Sequence, residues 1–317
     1  MIEFFYYITV ALPVVLSTLG AGIGQGLIGK KALEAIHVQP EASEQISKIC
    51  IIGTALTETT GILGIVTSLM LLISPMTIDP YYGTLGLLGI ALAVGVSGFI
   101  VGITSSLPAQ AACESTARQP FMHTKILNLM LITQTLIMTP NIFGFLIALL
   151  IKNKISAATT LPLALQLFAS GLSIGLGCIG PAIGLSLFAY AACSAIGYNK
   201  KAFGKILTFT FIAEAIIETP LIFALLIALS IISINIQDMS FIKSFSLVAA
   251  AICIAISTIA PGISSGRIGA TTCQQISFHT HQYSALSKTT MLALALIDTC
   301  AIYGLLTSIM LIFFVSL

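Results

Sequence analysis

The sequence predicts an all-α membrane protein: eight transmembrane helices, paired as four tandem helical hairpins, that form part of an oligomeric ring. Three observations lead there. Of the 317 residues 57% are apolar and 8% charged, with a mean hydropathy of +1.07. Several apolar runs reach the roughly 18–25 residues that cross a hydrocarbon core about 30 Å thick. The chain also repeats itself every eighty residues, and each unit holds two such runs joined by a polar loop.

The runs lack strict alternation, so they read as helices and not as barrel strands. They lie near 4–29, 46–73, 83–112, 124–151, 161–195, 203–233, 242–270 and 286–316. The first carries no basic leader, its one early charge being Glu3, and stays apolar to about Ile28. It therefore reads as a span and not as a cleaved signal. The seven cysteines fall mostly inside spans, where isolated thiols act as small apolar residues; no disulfide or metal role is expected. A net charge of +2 gives no sign of a nucleic-acid partner.

The repeat is clearest at the loops. Gln39-Pro40 recurs as Gln119-Pro120, and the same offset reaches Asn199-Lys200 and His279-Thr280. Cys113, Cys193 and Cys273 share one position, which Leu33 fills in the first unit. The units are 1–80, 81–160, 161–240 and 241–317. Ten of the thirteen Lys and Arg lie in or beside the loops within units; the connectors hold Lys152, Lys154 and Lys243. The positive-inside rule makes the hairpin loops cytoplasmic and puts both termini outside.

The first span of each unit carries small residues at alternate positions. These are Gly20, Gly22, Gly24 and Gly26; then Gly102, Thr104 and Ser106 after Ile100; then Gly180, Ala182, Gly184 and Ser186; then Ala260, Gly262, Ser264 and Gly266. Residues four apart share a face and residues two apart oppose each other, so each helix has two small flanks and two close neighbours. A closed ring of like helices satisfies that pattern.

The second span of each unit carries the chemistry. Glu58, Glu218 and Asp298 occupy one position, and Met138 fills it in the second unit. A carboxyl inside a membrane costs about 2.5–3.5 kcal/mol and marks a functional site. In lipid it is neutral or paired with a cation, and in a polar setting it ionises, which makes it an ion carrier that loads and unloads. One turn earlier lie Gln134 and Glu214. Glu214 and Glu218 form an i, i+4 pair expected to share one proton. Arg267, near a loop end, is expected to snorkel to the interface.

"GAGIGQGLIGKKALEAIHVQPEA" followed by "IIGTALTETTGILG" resembles the proteolipid, or c-subunit, of rotary F-type ATP synthases. The later units share its spacing, "ARQP", "GPAIG", "APGIS" and the acids; fused hairpins of this kind also resemble V-type and archaeal-type proteolipids. The resemblance implies a non-catalytic rotor-ring subunit of a bacterial inner membrane. Its partners would be lipid, copies of itself, central-stalk subunits and a stator subunit that supplies an essential Arg. Glu58, Glu218 and Asp298 would carry the ion, and Gln39, Pro40, Arg118, Gln119 and Pro120 would face the stalk. Only the second unit keeps the family's Arg before Gln-Pro; the third and fourth lack the motif.

In sodium-binding relatives a Gln on the first helix and a hydroxyl after the acid complete the site. Gln25, Glu58, Thr59 and Thr60 fit sodium, while the fourth unit pairs Asp298, Thr299 and Tyr303 with Ser265, and the third pairs Glu218 and Thr219 with Leu185. The mixture favours protons and leaves sodium at Gln25 and Glu58 open. No cofactor is implied. A secondary transporter and a ring component that no longer moves ions are the rival readings. Against the transporter stand four repeats of one topology and an expectation of unbroken helices.

Overall fold

The protein, a computed structural model, is described over residues 2–73, 82–156, 158–234 and 240–315. The unit boundary at 80/81 and residue 316 of the last span lie outside these. Eight long helices are capable of spanning a membrane: α1 Phe4–Val38, α2 Pro40–Ile73, α3 Tyr82–Arg118, α4 Pro120–Ile155, α5 Leu161–Tyr198, α6 Lys200–Ser233, α7 Phe241–Phe278 and α8 Thr280–Phe313. At 1.5 Å per residue each is about 50 Å long and exceeds the hydrocarbon core. The surplus lies at the loop end, where α1, α3, α5 and α7 all run past the predicted spans.

All four loops make the same turn. The residue after the first helix accepts a main-chain bond from three residues on: Ala42 to Gln39 (3.1 Å), Met122 to Gln119 (2.9 Å), Ala202 to Asn199 (3.1 Å) and Gln282 to His279 (3.0 Å). Each is a short 3₁₀ turn leading into the second helix. Proline starts it in the first two units, and lysine and threonine do so in the others. The turn therefore outlasts the loss of the Gln-Pro motif.

The helices form two rows. Helices α1, α3, α5 and α7 pack side by side in that order; in the second row α2, α4 and α6 each lie against the groove between two of them, and α8 lies against α7 and beside α6. Small residues set the spacing of the first row. A Cβ on Gly24 would lie on the Gly102 carbonyl, one on Gly184 on the Gly262 carbonyl, and one on Gly20 on the main chain of Phe99. The opposite flank of α5 places Ala182 against Val101 of α3. Interior helices thus use both small flanks, whereas a Cβ on Gly22 or Gly26, on the free flank of α1, would meet nothing within 4 Å.

Two apolar clusters hold the rows together. One fills the loop half, around Ile28, Ile49, Met130, Phe188 and Phe209. The other fills the opposite half, around Leu71, Ile90, Ile151, Ile227 and Ile254. The acid level lies between them.

Several helices are broken, contrary to the expectation from sequence. The α-helical ladder is interrupted at Met138 in α4 and at Glu218 in α6, because Pro140 and Pro220 lack the N–H that would continue it. Helix α5 breaks at Cys178 before Pro181, and α7 at Thr258 before Pro261. Helix α2 runs unbroken through Glu58, and α8 through Asp298.

The connector lysines have a structural use. Lys154 Nζ donates to the Ile232 carbonyl (2.6 Å), and Lys243 Nζ donates to the carbonyls of Ile312 and Val315. Ile232 and Ile312 hold final carbonyls of α6 and α8, which have no partner inside their own helix, and Val315 lies just past the end of α8.

Candidate ion-carrying site

The four positions of the acid register stand at one level on the second row, and their surroundings differ. Glu58 is exposed, Glu218 is half-buried, and Asp298 is 8% exposed with no hydrogen-bond partner for Oδ1. Met138 is buried against Val101 and Ala182. A buried polar oxygen without a partner costs about 1–3 kcal/mol, so Asp298 is held at a price that packing alone does not explain.

The residue after each register position is threonine in all four units: Thr59, Thr139, Thr219 and Thr299. Two of these reach the next unit. Thr59 Oγ1 lies 3.6 Å from Met138 Sδ, and Thr139 Oγ1 donates to Glu218 Oε1 at 2.6 Å. Each therefore aims a hydroxyl at the register residue one repeat on. Thr219 instead donates to the Ala215 carbonyl (3.3 Å) and Thr299 to that of Leu296 (2.7 Å). Sequence reasoning passes over Thr139 because its own unit has no acid. The fourfold threonine is the available signal.

The other expected ligands are placed separately. Gln25 Nε2 donates to the Thr54 carbonyl (3.4 Å), and no hydrogen bond joins it to Glu58. Thr60 is buried and donates to the Thr57 carbonyl (2.9 Å). Tyr303 is exposed. Ser265, the fourth unit's counterpart of Gln25, is fully buried with no partner for its hydroxyl.

Gln134 joins two units. Its amide donates to the Gly53 carbonyl (2.9 Å) and to Thr57 Oγ1 (3.2 Å), and Thr57 also accepts from Ser105 (3.3 Å). Glu214, its counterpart one repeat later, is fully buried, and neither carboxyl oxygen has a partner. It makes no side-chain bond to Glu218; the two residues are linked through the main chain, Glu218 N–H donating to the Glu214 carbonyl at 2.9 Å.

At the loop face, Gln39, Pro40, Gln119 and Pro120 form the first two turns. Arg118 lies over the Tyr198 ring, 4.5 Å from its centroid, and 3.8 Å from Glu114. Glu114 also pairs with Lys31 across units at 2.8 Å. Arg118 is thus partly engaged within the chain. Phe121 is completely exposed at the tip of the second loop, a contact candidate that sequence reasoning misses.

The family model for the ATP synthase C-subunit matches residues 8–71, 88–151, 168–231 and 248–311, each segment eighty residues after the last. The K-subunit of an A-type ATP synthase from Methanocaldococcus jannaschii is 29% identical over 243 residues, 75% of this chain and all of that protein. The ATP synthase c-subunit of Clostridium beijerinckii is 50% identical over 58 residues, covering 18% of this chain and 82% of its own length. That of Dehalococcoides mccartyi is 43% identical over 68 residues, covering 22% and 90%. Together with eight apolar helices in two rows, these matches place the chain in the ATP synthase C-subunit family, as four tandem copies of its unit.

Proposed function

We propose that this chain is a rotor-ring subunit that carries ions across a membrane on Glu58, Glu218 and Asp298. The acid column supports the reading: three carboxyls at one level of the second row, one of them already bonded by a hydroxyl of the neighbouring hairpin. Copies of the chain close a ring in the bilayer, each acid rides neutral or ion-loaded against lipid, and each unloads beside an Arg supplied by a stator subunit. The hairpin loops, cytoplasmic in a bacterial inner membrane, grip the central stalk through Gln39, Pro40, Gln119, Pro120 and Phe121, with Arg118 giving part of its charge to that face. Turning the stalk couples ion flow to ATP synthesis or hydrolysis in partner subunits.

The carried ion is a proton in this reading. A sodium ion needs several oxygen ligands, and Gln25 is turned to a main-chain carbonyl while Glu218 has one hydroxyl. The test is a carbodiimide that labels membrane carboxyls, applied to vesicles holding the assembled complex. Labelling of Glu58, Glu218 or Asp298 should stop ion-driven ATP synthesis. Full activity after labelling would refute the carrier role, and protection of Glu58 by sodium would refute the proton.

A further inference from the structure

The chain has two free flanks, that of α1 and α2 and that of α7 and α8, and the joints inside the chain say how they meet. Let a register be a residue's number less whole multiples of eighty. Pro181 and Pro261 share register 21, which holds Ala21 and Val101 in the first two units. A proline there withholds the N–H that would bond the carbonyl four residues earlier. For Pro181 that carbonyl belongs to Gly177, and Thr258 Oγ1 of the next unit donates to it at 3.0 Å. Thr258 occupies register 18. The units that follow Ala21 and Val101 carry Gly98 and Cys178 there, with no hydroxyl. One other threonine stands at register 18, Thr18, exposed on the free flank of α1. It follows Pro261 only if the fourth unit of one copy precedes the first unit of the next.

A second pairing sits nearer the loops. At the internal joints register 33 is cysteine, fully buried, and Cys113 lies in the same apolar cluster as Cys50 of the preceding unit. The first unit has Leu33 instead, 71% exposed. The fourth unit's counterpart of Cys50 is Thr290, which with Thr271, Thr272, Gln275, Leu286 and Ala293 lines an open groove of ≈ 360 Å³ between α7 and α8. In the first three units, each followed by another, the same positions of the second helix are buried: Ile46 and Ile49, then Ile126 and Leu129, then Ile206 and Phe209; their counterparts in the fourth unit, Leu286 and Thr289, are half-buried and exposed. A larger knob on one flank thus matches an unfilled hole on the other.

We propose that copies join fourth unit to first through a seam with its own chemistry: Thr18 donates to the Ser257 carbonyl, and Leu33 seats in the α7–α8 groove. The inference rests on the ring reading and adds what fixes the order of copies. The three joints inside the chain are covalently tethered, whereas the seam holds by contacts alone.

The experiment is done on the assembly extracted in mild detergent. Leu33→Cys with Thr290→Cys should give chain-to-chain disulfides on oxidation, seen as multiples of 33.2 kDa that neither single variant gives. Thr18→Val should lower the temperature at which the assembly falls to single chains. Pro261→Ala, which returns an N–H to the Ser257 carbonyl, should make the Thr18→Val change nearly silent. The pair Thr258→Val and Pro181→Ala, internal to the chain, should leave that dissociation temperature unmoved. Strictly additive effects of Thr18→Val and Pro261→Ala, or an intact assembly without the disulfide, would overturn the seam and leave the ring reading standing. An unmodified protein that extracts only as single chains would overturn both.

Discussion

Gln134 and Glu214 stand at the same place in successive units, one turn before the acid level, and differ in how far their polar atoms are used. The Gln134 amide nitrogen bonds Gly53 and Thr57 across a joint and only its Oε1 lacks a partner, while both oxygens of Glu214 are buried without partners. Replacing a buried, unpartnered polar group by an apolar one of similar shape is near neutral or stabilising. Glu214→Leu is therefore expected to hold or raise the thermal stability of the purified protein, and Gln134→Leu to lower it by about 1–3 kcal/mol. Both are read from unfolding in detergent. Because Glu218, not Glu214, is the proposed carrier, Glu214→Leu should also leave the ions moved per ATP unchanged. Glu58 differs from both. It adjoins the unit whose register residue is Met138, so Glu58→Gln would send two successive hairpins past the stator without a loadable group. Ion-driven ATP synthesis should stop, although Glu218 and Asp298 remain; undiminished synthesis would count against the carrier role of Glu58.

Among the elements, the first row depends on backbone meeting backbone. Gly184 and Gly262 lie so close that any side chain at Gly184 must push two helices apart. Overpacking of this kind costs about 1–3 kcal/mol or more, so Gly184→Val should destabilise the protein, while Gly204→Val, at a position open to its surroundings, should not. Comparing their melting temperatures checks this. The small flanks are legible in the sequence because alternate glycines have no other use in a span, and the acid column is legible because a charge in lipid is conspicuous. The breaks at Met138 and Glu218 are not, although Pro140 and Pro220 stand two residues beyond each. The apolar run continues smoothly through them, and hydropathy carries no record of a missing N–H. Lys154 and Lys243 enter the topology argument as charges, and their role as caps on α6 and α8 shows only once the helix ends are brought near them. The contact from Thr139 to Glu218 is hidden for a similar reason, since it joins residues 79 apart and depends on which helices are neighbours.

For the whole molecule, four fused units make the stoichiometry a matter of counting. A ring of this chain alone holds a multiple of four hairpins, eight from two copies (2 × 4) or twelve from three (3 × 4). A projection image showing ten or eleven would exclude it. The number of proposed carriers is a separate quantity, because each copy has Glu58, Glu218 and Asp298 at that position but Met138 in the second unit. Ions per turn should follow acids, three for every four hairpins. Met138→Glu tests this directly, and the structure has a partner waiting. Thr59 already lies 3.6 Å from Met138 Sδ, in the relation that lets Thr139 donate to Glu218. The burial cost, about 2.5–3.5 kcal/mol, is one the chain already bears at its other acids. With four carriers per copy instead of three, each ATP would draw on four-thirds as many ions. The proton-motive force at which synthesis and hydrolysis balance should then fall to about three-quarters of its former value, since the free energy per ATP is unchanged and is divided among more charges. Reconstituted vesicles held at a series of imposed potentials give that balance point. If it stays where it was while a carbodiimide labels the introduced carboxyl, the acid count does not set the ratio, and the second unit is silent for a reason other than its missing acid.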